Sequence, residues 1–278
     1  MISGFVSKIF SESILAFIPS FIKSVNISFY DKFFLRFLIF VIISFFLSDF
    51  TVIREYLFSK NGLFLSFVTI IHVFSSYNGY ELLNGGVANS ILYMYPLFIL
   101  FLSDFKFRWI YIIFLIGLAL LAYSNLQENF KPIFIDKDKE EKFEFQGVLY
   151  MIVAAITEAL IYFQVIKIKT KNNWNHIFIS YFFGLLLLFL FRYQKSEMKM
   201  DGTVIVTSLF YIFILLVGYY LRFYAMNHLH INYYSILSYL GILFTYLYGF
   251  IFLKEKMNIY NISGTLCILF GNFILLKE

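Results

Sequence analysis

The chain has 278 residues, 61% of them hydrophobic and only 14% charged, and its mean hydropathy is +0.80. A water-soluble globule could not bury so much apolar surface in one core, so the solvent must be lipid. The formal net charge of +5 comes from basic residues scattered along the chain, not gathered in a stripe, which argues against nucleic acid and makes membrane headgroups the simpler partner.

A helix that crosses the bilayer needs about 20 mostly apolar residues, and ten segments are predicted to do so. The first, residues 2–22, holds Lys8 and Glu12. These interrupt what would be the apolar stretch of a secretory signal, and no small-residue cleavage site follows before Lys23, so the segment is expected to be a mature span. The second, 32–48, has Arg36 a few residues inside it, where a long side chain can snorkel to the interface. The third, 61–80, carries the polar run His72, Ser75, Ser76, Tyr77 and Asn78, expected to face inward because lipid satisfies no polar group. In the fourth, 82–103, no residue is charged; Gly85-Gly86 marks its entry, Asn89 and Tyr93 share a helical face, and Pro96 can break the helix. The fifth is 109–126.

A polar break follows over 127–145, with Pro132 and the mixed-charge run Asp136 to Lys142, and reads as a solvated loop. The sixth span, 146–166, contains Glu158; the seventh is 172–191; the eighth, 203–225, contains Arg222 beside Tyr219, Tyr220 and Tyr224. The ninth, 231–253, has no charge and carries Ser235, Ser238 and Tyr239 at helical spacings. The tenth, 257–276, holds Cys267, the single cysteine, which supports no disulfide, metal site or nucleophile.

Two halves of like construction emerge. Ser90-Ile91-Leu92 returns as Ser235-Ile236-Leu237 after 145 residues, and Ser11-Glu12-Ser13 is echoed by Thr157-Glu158-Ala159 after 146. Five spans per half is an odd number, so the second half enters the bilayer from the opposite side. The expected fold is an all-α membrane protein of ten transmembrane helices in two inverted five-helix repeats, 1–126 and 146–278, joined by a charged linker over 127–145. Such repeats place a site between them near mid-bilayer.

Glu12 and Glu158 are the sharpest candidates for that site, since an ionised carboxylate at a span centre costs about 2.5–3.5 kcal/mol on insertion scales. They suggest a polar cavity or a proton-carrying role; the plainer alternatives are that Lys8 neutralises Glu12 and that Glu158 reaches a helix end. Arg222 could pair with Glu158 or hold a substrate carboxylate, against snorkelling or a structural ion pair. His72, Asn78, Tyr93, Ser238 and Tyr239 complete the candidate set for substrate or proton, with helix-to-helix hydrogen bonding as the bland reading. His228-Leu229-His230 lacks the company a metal site requires, and no phosphate-cradling loop or nucleophile elbow is present. No metal, cofactor or catalytic residue is therefore assigned, and no oligomeric state follows from these residues.

Several motifs taken in order resemble one family. Tyr219-Tyr220-Leu221-Arg222-Phe223-Tyr224-Ala225-Met226, then Ser235-Ile236-Leu237, then Phe252-Leu253-Lys254-Glu255-Lys256-Met257 with Gly264 and Gly271, resemble the eighth to tenth helices of EamA-type carriers in the drug/metabolite transporter superfamily. Arg36-Phe37-Leu38 is similar to the start of that family's second helix, and Gly86-Val87-Ala88 with Tyr95-Pro96-Leu97 to its fourth. The Trp-Gly pair of the family's first helix is missing, and Leu253 stands where a glycine is usual. The resemblance implies a permease or exporter in the cell membrane, not an enzyme, moving a small polar metabolite such as an amino acid by alternating access, with protons as a candidate coupling ion. A nucleotide-sugar or sugar-phosphate carrier of the same superfamily and a non-transporting polytopic protein, a lipid-modifying enzyme or assembly factor, are the alternatives.

Overall fold

A computed structural model describes residues 2–25, 27–104, 109, 111–127, 137–192 and 202–275, and every regular element among them is helical. In chain order these are α1 (Ile2–Leu15), α2 (Ile18–Ser24), α3 (Phe29–Leu47), α4 (Phe50–Tyr56), α5 (Lys60–Leu82), α6 (Gly85–Leu92), α7 (Tyr95–Asp104) and α8 (Tyr111–Gln127). Then come α9 (Lys137–Lys167), α10 (Asn173–Arg192), α11 (Gly202–His228), α12 (Ile231–Ser238), α13 (Leu240–Tyr248), a π turn (Gly249–Leu253) and α14 (Ile259–Leu275).

Among the described residues, six helical stretches are long and apolar enough to cross a membrane: Ile2–Ser24, Gly85–Ser103, Phe145–Lys167, Asn173–Leu190, Val204–His228 and Ile231–Leu253. The count is seven if α4 and α5, bent by 88° at their joint, form one. This makes the chain an integral, multi-pass membrane protein. The segments read as the second, fifth and tenth spans are helical too, but fall outside that count. α3 carries Asp31, Lys32 and Arg36 in its first half, and α8 and α14 have 17 residues each.

Local chemistry explains the boundaries. Ser28 caps α3 by accepting from the Asp31 amide at 3.1 Å, and Ser59 caps α5 through the Gly62 amide at 3.1 Å. Pro19 and Pro96, lacking N–H donors, sit just after the breaks that separate α1 from α2 and α6 from α7. The break between α12 and α13 has no proline, yet it matches the one between α6 and α7. Met94 donates to Ile91 O at 3.0 Å and Tyr239 donates to Ile236 O at 3.2 Å, both tightened to a three-residue step at positions 145 apart. The stretch read as a loop is partly helix, because α9 starts at Lys137; its Glu and Lys residues are strong helix formers. Residues 128–136 of that stretch lie outside the described residues.

The packing joins early helices to late ones: α5 lies along α9, α1 along α11, α3 along α10 and α8 along α14. In the last pair Gly117 and Gly264 meet backbone to backbone, where a Cβ on either would come within 3 Å of the other's carbonyl. Small residues allow that approach, as dispersion, not water, drives helix association in lipid. Polarity is distributed inside out. Phe46, Phe67, Leu190, Val206 and Phe250 are exposed, while Lys8, Glu12, Arg36, His72, Glu158 and Arg222 are buried. That pattern suits a bundle whose outer surface meets acyl chains.

Candidate functional site

Helical periodicity brings the interior polar residues to one place. On α1, Lys8, Ser11, Glu12 and Leu15 are buried at three- and four-residue steps. On α5, His72 and Ser76 share a face with Tyr80, and Glu158 and Arg222 come from α9 and α11. Tyr93 and Tyr95 flank the break after α6, and Tyr234 and Ser238 lie on α12.

Arg222 is the hub. Its Nη1 donates to Glu158 Oε1 at 2.9 Å, and its Nη2 lies 3.3 Å from both oxygens of Glu12. Lys8 Nζ sits 2.5 Å from Glu12 Oε1, 3.2 Å from the Tyr95 hydroxyl and 3.6 Å above the Tyr234 ring. The Tyr93 hydroxyl donates to Glu12 Oε2. Gly241 closes that corner, since a Cβ there would lie 1.9 Å from the Tyr93 oxygen and 2.7 Å from Glu12 Oε2. Ser238 bonds the Tyr95 hydroxyl and donates to Tyr234 O at 2.7 Å.

His72 joins the cluster from the other side. Its Nδ1 is 3.0 Å from the Ala154 carbonyl, a group that only accepts, so Nδ1 bears a hydrogen. Its Nε2 is 3.3 Å from Glu158 Oε2, a contact that becomes an ion pair when the imidazole is protonated.

Of the residues singled out from sequence, Glu12, Glu158, Arg222, His72, Tyr93 and Ser238 are thus brought together. Asn78 is not. Its side chain turns back to donate to Phe74 O at 2.8 Å, because a polar run of consecutive residues cannot put all its members on the face that holds His72 and Ser76. Tyr239 stands in the α12 to α13 break, and its hydroxyl has no hydrogen-bond partner among the described residues. Arg36 does not snorkel: it is fully buried, its Nη2 donating to the Tyr181 hydroxyl at 2.7 Å. Lys8, Tyr95 and Tyr234 also belong to the cluster. Lys8 was legible only as a neutraliser of Glu12, Tyr95 only as part of the Tyr95-Pro96-Leu97 motif, and Tyr234 gave no signal in a chain with 22 tyrosines.

The cluster is closed on itself, with a void of only about 10 Å³ beside it, lined by His72, Tyr80, Asn89, Tyr219 and Arg222 among others. Toward one end of the bundle lies a cavity of about 990 Å³, between the end of α9 (Tyr162, Ile166), the segment Ile168–Lys171 and the joint Asn227–His230. Two rings separate the two: Tyr162 packs on Tyr234 at 5.3 Å between centroids, and Tyr234 carries the Lys8 ammonium. The start of α1 is at the wide mouth, for Gly4 rests on His228 and Leu229. The end of α2 is therefore at the opposite end, and there the bundle is fastened. Lys23 pairs with Glu255 at 2.6 Å, and the Glu255 oxygens accept from the Gly85 amide at 3.0 and 3.1 Å, at the start of α6.

Residues 145–277 match the sequence profile of the EamA-like transporter family. No curated protein matches the chain. Among solved structures, a crystal structure described only as that of a protein is similar over 99% of this chain and 95% of the other, with a TM-score of 0.62 at 14% identity. At that identity the likeness concerns the fold alone.

Proposed function

We propose, from a chain whose residues 145–277 form an EamA-like transporter domain of the drug/metabolite transporter superfamily, that this protein is a ten-helix secondary carrier of the cell membrane, not an enzyme. Its halves, 1–126 and 146–278, are inverted repeats that move a small polar metabolite by alternating access. What supports inversion is direction: α1 starts at the wide mouth and its counterpart α9 ends there. The matched breaks near Met94 and Tyr239 support the repeat. The asymmetry of the bundle, open to a large cavity at one end and fastened by Lys23 and Glu255 at the other, supports alternation.

One observation carries the reading: Arg222 bridges Glu12 and Glu158, the two repeat-related acids. A charge-balanced cluster buried at mid-span is costly to build and suits a path for polar cargo. The contact of His72 with Glu158, an imidazole against a carboxylate, gives protons a place in the cycle. The test is uptake of a panel of labelled small metabolites, amino acids and amine-free carboxylates among them, into vesicles holding the purified protein, with and without an imposed pH gradient. The parent is expected to accumulate a substrate and Glu158→Gln to lose the response to the gradient. No uptake across a broad metabolite panel by a folded parent would refute the carrier.

A further inference from the structure

Arg36 is the one buried cation in the centre of the bundle that no carboxylate of the described residues meets. Lys8 and Arg222 are matched by Glu12 and Glu158. Arg36, at 0% exposure, donates to the Tyr181 hydroxyl at 2.7 Å with the Tyr77 hydroxyl also beside it, while its Nε and Nη1 make no well-formed hydrogen bond. Around it stand Phe40, Tyr77, Tyr181 and Tyr219, whose ring centroids lie 5.4, 5.4, 5.5 and 4.6 Å from the guanidinium carbon.

Rings favour a cation but take up none of its in-plane hydrogen bonds. Each unmet buried donor costs about 1–3 kcal/mol, and more on a charged group. The cage therefore holds Arg36 in place and leaves the donors on Nε and Nη1 unsatisfied. The cage shares a wall with the central site. Tyr219, which contacts the Arg36 guanidinium, lies 5.7 Å from that of Arg222 and borders the void beside His72.

We infer that Arg36 is the seat of a substrate carboxylate, and that the cargo is a carboxylate bearing no ammonium group. This rests on the carrier reading. Both acids of the core are already engaged, Glu12 by Lys8, Arg222 and Tyr93, and Glu158 by Arg222 and His72, so neither is free to receive an ammonium. Buried cations here (Lys8, Arg36, Arg222) outnumber buried acids (Glu12, Glu158), which favours an anion. A phosphate dianion fits less well than a carboxylate, since its second negative charge calls for a second cation and Arg222 is committed to Glu12 and Glu158.

The test is a melting-temperature titration of the purified full chain in detergent with acetate, L-lactate, benzoate and succinate, against lactamide, glycine and inorganic phosphate, in the parent, Arg36→Gln and Arg36→Lys. At least one carboxylate is expected to raise the melting temperature while lactamide, glycine and phosphate do not. Arg36→Gln is expected to weaken the carboxylate about tenfold or more, with Arg36→Lys between. Without any added compound Arg36→Gln should melt at or above the parent's temperature, because it removes an uncompensated charge; a purely structural brace would make it melt lower. No shift with any carboxylate, an undiminished shift in Arg36→Gln, stabilisation by glycine or phosphate, or a lower unliganded melting temperature would each overturn the inference. Vesicle uptake keeps the two readings apart. Glycine accumulated equally by the parent and Arg36→Gln would sink the seat and leave the carrier standing. Carboxylate binding lost in Arg36→Gln, with no flux of any compound, would keep the seat and sink the carrier.

Discussion

Replacing Arg222 with methionine keeps the length of the side chain and removes the charge that serves both acids. Breaking a buried ion pair by deleting one partner costs about 3–5 kcal/mol, because the other charge stays behind unmet. Here the loss is uneven. Glu12 keeps the Lys8 ammonium and the Tyr93 hydroxyl, whereas Glu158 keeps only His72. The single variant should therefore fall near the lower end, about 3 kcal/mol, with most of it on Glu158. Adding Glu158→Gln to Arg222→Met should then recover stability, leaving a coupling energy of about 1–2 kcal/mol, above the roughly 0.6 kcal/mol average of polar contacts between membrane helices. Equilibrium unfolding of the parent, both single variants and the double variant in one detergent measures the cycle. Additivity within about 0.5 kcal/mol would show that Arg222 and Glu158 do not act as a desolvated pair.

Two further outcomes follow from the fastened end. Lys23 and Glu255 are partly shielded, so loosening them by Glu255→Gln should weaken closure by about 1 kcal/mol. In a Cys267→Ser background, a cysteine placed at Ser20 should react several-fold faster with a membrane-impermeant thiol reagent in the variant; equal rates would mean that the contact does not hold the end shut. Lys254 has φ 55°, in the left-handed region, at the end of the π turn that positions Glu255. Lys254→Gly should raise stability by about 1 kcal/mol, read as a higher melting temperature, and a drop would mean that the lysine side chain contributes more than the strained backbone costs.

The spans and the pairing of Glu12, Glu158 and Arg222 were legible because charge within apolar sequence is expensive and must find a partner. Depth was not. Counting from residue 32 puts Arg36 near an interface, but Ser28 starts α3 at Phe29, which sets Arg36 two turns inside with its side chain toward the bundle. Direction around a helix was only half legible: the run Ser75 to Asn78 announces a polar face, yet 100° per residue sends Asn78 away from His72. The break at Pro96 is visible in sequence, whereas the one at Tyr239 has no proline and follows from close packing at Gly241 against Tyr93 and Glu12. Nor could α4, seven residues set at 88° to α5, be read from a short joint.

In the proposed carrier the bond lengths of the hub suggest what gives way first. Arg222 and Glu158 both belong to the second half and meet at 2.9 Å, whereas Glu12 is in the first half and lies 3.3 Å from Arg222. Glu12 also has Lys8 one turn away on its own helix, so it can leave Arg222 without being left unpaired. A rocking motion between halves therefore strains the Glu12 contact while Glu158 travels with its partner, and an arriving carboxylate on Arg36 would add negative charge near the guanidinium group just released. Opening then exchanges one ion pair for another instead of exposing a bare charge to lipid, and this is why a carrier of this design needs Lys8 as much as it needs Arg222.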